Sequence, residues 1–301
     1  MHPIEPVARE AFAAGWATSG GPMTERVKTA CSAAVDLAVE HADHPRILEV
    51  TIDLGRLEGL WAKLYERREQ LIRSHIGTIA ELWRNALAGG LIADAIRRLR
   101  QSDTGAGDRQ ETEAIAAAAL AALPNRPDWL PLRQAMRDAL AAGQAEGATS
   151  AKATAADRSG GEQPDWDAEF ATHHGTLATQ TALWSDADTW LQRLLARAAT
   201  ALGRALHQPD ASDDELAAAA DQSVDKPVAS TTDWAVTTAI GAGALAWYQQ
   251  NRSTSIDWID AGDGRVCAAC QTNADNSPYA PADFPPLPDH PGCRCIASAS
   301  T

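Results

Sequence analysis

Lysine is scarce in this chain: Lys28, Lys63, Lys152 and Lys226 are the full set, while arginine is plentiful. Phe, Tyr and Met number only 3 each, and β-branched residues are thin before residue 224. With alanine dominating, this composition excludes a β-rich body and favours helix almost everywhere. The alanine and arginine excess also matches the coding bias of a GC-rich genome, which carries no function. Long apolar runs are missing too. The longest weakly polar stretch, Ala235 to Trp247, contains Thr237 and Thr238 and is too short to span a bilayer. Met1-His2-Pro3-Ile4-Glu5 lacks the basic, apolar and cleavage regions of a secretory leader. We therefore expect a soluble protein made in the cytoplasm, without a membrane partner.

The motifs that announce catalysis are absent as well. No His-x-Glu accompanies the cysteines, as zinc deaminase chemistry requires, and Val266 stands where that signature needs proline. There is no His-Glu-x-x-His, no Gly-x-Ser-x-Gly and no Gly-x-x-x-x-Gly-Lys phosphate cradle. The expectation is a protein that is not an enzyme and takes no small-molecule substrate. A formal charge of −14 argues against a protein that coats nucleic acid, because backbone binding depends on neutralising phosphates.

The 301 residues allow two or three folding units. Residues 1–145 read as a helical N-terminal region. It starts with two short alanine-rich helices broken at Gly20-Gly21-Pro22 and ended by Pro45. The longest periodic segment follows, from Leu48 to Ala88, where Leu57, Trp61, Leu64, Leu71, Ile72, Ile76, Ile79 and Trp83 fall near three-and-four spacing. Arg67, Arg68 and Glu69 interrupt that stripe. This segment is one helix or a pair bent near His75-Ile76-Gly77. Shorter helices are predicted through Ile92–Leu99 and Glu111–Leu123, and a further one starts at Trp129 with Asp128 as its cap. Residues 146–164, rich in Ala, Gly, Ser and Thr and without apolar period, read as a linker. Residues 165–301 then form a helical segment leading into a C-terminal unit. Helices are predicted at Asp165–Leu183, Asp186–Leu206, Ser212–Gln222 and from Pro227 to about Asn251, with Ser212 and Glu215 as a capping box.

What is there in abundance lies at the end. Four of the five cysteines stand in Cys267-x-x-Cys270 and His290-Pro-Gly-Cys293-Arg-Cys295. A tetrahedral metal needs one tight turn that aims two sulfurs at a point and a second turn that supplies the other ligands. These two clusters fit a structural zinc ion with Cys267, Cys270, His290, Cys293 and Cys295 competing for the places. If the last segment is extended, Cys293 and Cys295 face one side and His290 falls behind them. A disulfide pair and uncombined thiols are the alternatives. Residues 255–299 would then make a metal knot. Its first strand is Ser255 to Ile259, Cys293–Ser298 pairs with that strand, and the Pro/Asp/Asn loop Asn273–Pro288 is closed by the metal rather than by a core. From Asn251 onward Arg252, Arg265 and Arg294 are outnumbered by Asp257, Asp260, Asp263, Asp275, Asp283 and Asp289, the reverse of a DNA-reading zinc module.

Ile256-Asp257-Trp258-Ile259, Asp263-Gly264-Arg265-Val266-Cys267-Ala268-Ala269-Cys270 and His290-Pro291-Gly292-Cys293-Arg294-Cys295 together resemble the C-terminal signature of the phage Mu F-like minor head proteins, or phage head morphogenesis proteins. That signature is a Trp-bearing strand, D-x-R-V-C-x-x-C, a proline-rich loop and H-P-x-C-R-C. The resemblance covers about 210–301 and includes the helix Thr232–Tyr248. It departs where the family often has an Arg-Thr-Glu-like triplet and this chain has Thr231-Thr232-Asp233. The resemblance implies a minor capsid protein of a phage or prophage, present in the virion head and in the host cytoplasm during assembly. It would act near the portal, with portal and capsid or scaffold proteins as partners. The alternative is a zinc-ribbon-type nucleic-acid-binding protein in DNA packaging or delivery, which the acidic tail does not favour. On the family reading Asp263 supports the cysteine turn, with Arg265 beside it; a plain turn acid and a surface arginine are the other reading.

The expected fold class is therefore mainly α, a helical body with a small C-terminal α+β zinc-knuckle-like module built on a short β-hairpin. Trp258 is expected as the apolar plug of that module rather than as a binding residue. The other tryptophans read as the large partners of alanine on packed helices. His41 with His44, and His173 with His174, read as polar helix positions, and Cys31 as a small buried side chain. Arg193, Arg197 and Arg204 line one helix and read as a solvated face able to meet phosphate.

Overall fold

The computed structural model describes residues 45–87, 90–101, 109–121, 123–126, 129–207, 211–260, 267–288 and 295–300. Side chains are described from residue 59 onward, apart from 61, 99, 109 and 224–226. The two helices expected before Pro45, with Cys31, His41 and His44, lie outside the described residues, as does the cap Asp128. The chain divides into two compact units, Met1–Lys63 and Leu64–Thr301. Of the first, only the helical residues 45–63 are described.

The order of elements is α1 (Pro45–Leu87), α2 (Leu91–Gln101), α3 (Arg109–Leu120), a short 3-10 turn (Leu123–Asn125), α4 (Trp129–Arg158), α5 (Trp166–Leu177), α6 (Ala182–Leu206), α7 (Asp213–Gln250), β1 (Ile256–Ile259), α8 (Ala268–Asp275) and β2 (Ile296–Ala299). The protein is thus mainly helical, with one two-stranded antiparallel sheet near its C-terminus. No helix among the described residues is long and apolar enough to cross a membrane. α1 is a single element through His75-Ile76-Gly77, and the predicted stripe is its buried face: Ile72, Ile79 and Trp83 enter the core. Ser212 begins α7 with a complete capping box to Glu215, as its sequence pattern requires.

Three expectations are overturned. Most of the stretch 146–164 is not a linker: α4 continues to Arg158 and is buried through Glu146, Gly147, Ala148, Thr149, Ala151, Ala153 and Thr154, and only 159–164 connects it to α5. Its lack of apolar period has a physical cause. A helix enclosed on every side has no solvent face to contrast with, and small residues let its neighbours approach all round. Pro227 does not divide the next helix either, since α7 runs unbroken from Asp213 to Gln250 with Pro227 inside it. Proline removes one ladder hydrogen bond and crowds the carbonyl one turn back. Tertiary packing on both sides, with Val228, Val236 and Ala239 in the core, outweighs that cost. The long expected helix 165–183 also ends early, at Leu177, and α6 begins at Ala182.

α4 and α7 form the most extensive helix pair. Their backbones nearly touch: a Cβ on Gly143 would stand 2.7 Å from the Ala239 Cβ. One on Gly147 would overlap the Ile240 carbonyl oxygen, and one on Gly243 the Gln144 carbonyl oxygen. The surrounding core draws Leu132 and Met136 from α4, Leu191 and Leu194 from α6, and Val236 and Ile240 from α7.

One buried ion pair crosses this packing. Glu146, 3% exposed, accepts from Arg67 at 2.9 and 3.1 Å, and Arg67 also reaches Asp167 at 3.3 Å and lies over the Trp166 ring. Removing one partner of a buried pair costs about 3–5 kcal/mol. Arg67 is partly solvated and keeps Asp167, so Glu146→Gln is expected to cost less, about 2 kcal/mol. Urea unfolding followed by far-UV circular dichroism measures it. The neighbouring Arg68 bonds Asp233 at 3.3 Å, which gives the acid of Thr231-Thr232-Asp233 a structural partner.

His75 on α1 carries a pH dependence. Burial lowers its pKa below the ordinary value of 6.5, and nearby His174 lowers it further, against an opposing pull from Asp138. The folded protein therefore holds fewer protons than the unfolded chain as pH falls through the range below about 6.5. Stability is intact above that pH and declines below it. His75→Gln is expected to flatten the decline, read as thermal midpoints from pH 7 to pH 5.

Candidate metal site

The C-terminal module is built around β1. Its four residues pair antiparallel with β2, Ile256 opposite Ala299 and Ile259 opposite Ile296. The pairing expected between the two ends of the cysteine region is present. It is joined by α8 and a long loop rather than by the tight turn of a hairpin. The other edge of β1 is also occupied: Ile256 and Tyr279 exchange two backbone hydrogen bonds of 2.8 Å, and the Trp258 amide donates to Ser277 Oγ at 2.6 Å.

Alternation along β1 turns Ile256 and Trp258 inward. Trp258, 2% exposed, stacks on Phe284 with ring centres 5.6 Å apart, and Phe284 meets Tyr279 edge to face at 5.7 Å. The expected plug is therefore in place. The loop Asn273–Pro288 departs from expectation: it closes on this aromatic cluster and so has a core of its own. Its first residues, Asn273–Asp275, belong to the helix α8 rather than to the expected loop.

The module is anchored to the helical body. Thr154 on α4 and Tyr248 on α7 share a hydrogen bond of 2.6 Å, and the Tyr248 hydroxyl also reaches the Ala297 carbonyl at 3.5 Å. Burial pushes the Tyr248 phenol well above its ordinary pKa, so it stays neutral and able to donate. Arg158 approaches Asp257 at 3.8 Å, and Ser300 Oγ donates to Asp257 at 2.8 Å. Leu287 lies against Gly241, where a Cβ would stand 2.6 Å from the Leu287 carbonyl oxygen.

Against this frame the cysteines take defined places. Cys267 is the N-cap of α8, in extended conformation, and its Sγ accepts the Cys270 amide hydrogen at 3.3 Å. An amide aimed at sulfur stabilises a thiolate and is the outer support a metal-bound cysteine uses. Cys270 and Cys295 are 2% and 4% exposed and belong to one apolar cluster with Ile256, Trp258 and Phe284; Cys267 packs against it. The fold thus places Cys267, Cys270 and Cys295 in or against one apolar cluster, the third at the residue before β2. His290 and Cys293 lie outside the described residues, as do Asp263, Arg265 and Arg294. Among the described residues no group of three or more His, Cys, Asp or Glu is placed to hold a metal ion.

Three residues central to this module went unread in the sequence: Tyr248, Thr154 and Phe284. Phe284 carried a usable signal, being one of only 3 Phe and standing alone in a proline-rich loop. Thr154 carried none, because its segment read as linker. No protein-family model matches the chain, and neither a curated protein nor a solved structure does.

Proposed function

We propose that this chain is a minor head protein of a phage or prophage, with a structural role in assembly near the portal and a structural zinc ion in its C-terminal module. The observation that supports this reading most is the order strand, Cys-x-x-Cys turn, loop, cysteine, returning strand, with the two strands paired and Cys295 at the mouth of the second. The strand, the Cys-x-x-Cys pair, the loop and the later cysteine follow the order of the Mu F-like signature, and the returning strand is an expectation from the residues themselves. Cys267, Cys270 and Cys295, with His290 and Cys293, would hold the ion, and thiolate with imidazole is the donor set zinc prefers. When bound, the ion would supply rigidity and no catalysis, since a saturated site leaves no position for substrate.

Portal, capsid or scaffold proteins are the partners this reading names. DNA is disfavoured by the net charge of −14. Metal analysis of protein purified under reducing conditions without chelator should return about one zinc per chain. A zinc-free product that still displays native near-UV circular dichroism would remove the metal from the proposal. DNA binding tighter than about micromolar at physiological salt would move the role from assembly to packaging.

A further inference from the structure

A cavity of about 400 Å³ opens between α6 and α7, lined by Trp190, Arg193, Ala196, Arg197, Thr231 and Trp234. It lies in the helical body and owes nothing to the cysteine module. The guanidinium of Arg193 sits 3.9 Å above the Trp234 ring, which holds a long side chain in one place by cation–π attraction. Arg197, one turn on, bonds the Ser230 hydroxyl at 3.2 Å. Neither arginine pairs with a carboxylate among the described residues. Elsewhere Arg67, Arg68, Arg97, Arg100, Arg133 and Arg137 each meet an acid. Trp190 is 2% exposed, and its indole N–H has no acceptor among the described residues. The Thr231 hydroxyl is already spent on the Pro227 carbonyl at 2.7 Å. The lining therefore brings positive charge and flat apolar surface, and no negative charge of its own.

We propose that this cavity is a docking pocket for an acidic segment of a partner protein, one that offers a carboxylate to Arg193 and Arg197 and an apolar side chain to the half-buried Trp234. Charge complementarity selects the acid. The concave, tryptophan-bearing floor selects a protein segment over a nucleic-acid strand, since buried Trp and Arg are the residue types that anchor protein interfaces.

The test uses the full chain and a fluorescein-labelled, acetylated and amidated peptide of Asp, Glu and Leu, with fluorescence anisotropy as readout. The same peptide with Asn and Gln replacing its acids, and a labelled single-stranded oligonucleotide, are the comparators. The acidic peptide should bind, and its affinity should fall with added salt. Arg193→Gln and Arg197→Gln should each weaken it about tenfold, the loss of one charge-assisted contact. Arg204→Gln, on the same helix outside the cavity, should leave it unchanged. Both arginines are exposed, so helical content should be native in every variant, checked by circular dichroism. No binding of the acidic peptide overturns the proposal. Equal binding of the neutral peptide, undiminished binding by the doubly substituted chain, or tighter binding of the oligonucleotide does so too.

Discussion

Gly147→Ala should destabilise the helical body by about 3 kcal/mol or more, the upper end of what overpacking costs. A methyl group there would overlap the Ile240 carbonyl oxygen and stand 2.8 Å from the Ala244 amide nitrogen. Both obstacles are backbone, so no change of rotamer makes room; α4 and α7 would have to separate along their whole contact. The chemistry of the substitution points the other way, because alanine in a helix interior is favoured over glycine by about 0.8–1 kcal/mol. Gly77→Ala isolates that opposing term. Gly77 lies inside α1 and a Cβ there meets nothing within 4 Å. It should stabilise by up to about 1 kcal/mol. Opposite shifts of the urea midpoint for the same substitution at two helical glycines would establish close backbone contact as the reason for Gly147. Equal shifts of the same sign would refute it.

That contrast also explains what could be read in the sequence. α1 was legible because one face is buried and the other solvated, so Ile72, Ile79 and Trp83 recur with the helical period. The capping box at Ser212 was legible because its physics is local, four residues closing on themselves. The second half of α4 was not. Alanine, glycine and threonine packed against α5, α7 and β2 leave no contrast in polarity, and the composition of a tightly packed helix then equals that of a flexible linker. Pro227 misled for a related reason: its local penalty is real, and the opposing term is long-range packing that no window of sequence contains.

The candidate site divides the same way. The antiparallel pairing of β1 and β2 and the inward Trp258 followed from alternation and from two cysteine clusters needing to meet. The aromatic trio of Trp258, Phe284 and Tyr279 and the anchor from Thr154 to Tyr248 join residues far apart in the chain. Nothing in the sequence ties those residues to one another. Their presence changes the energetics expected of the module, which has a small core and a covered second edge as well as its cysteines.

Cys270→Ser therefore separates two accounts of what holds the module together. The Cys270 sulfur is buried at 2% exposure, and the Cys270 amide is already given to Cys267 Sγ. If zinc bridges the cysteines, serine removes a thiolate ligand, and binding energies of about 10–16 kcal/mol for structural zinc make that loss decisive. Zinc content should fall to near zero, and the near-UV signal of Trp258 should collapse. Far-UV helicity should persist, because the main core contains none of the module's residues. If the aromatic core and the Tyr248 anchor suffice, the substitution costs only what burying one hydroxyl in an apolar cluster costs, about 1–3 kcal/mol. The near-UV spectrum then survives and chelator does not alter it. Treating the unaltered protein with chelator in parallel distinguishes the two, since only the metal account makes the chelated protein and the Cys270→Ser variant alike.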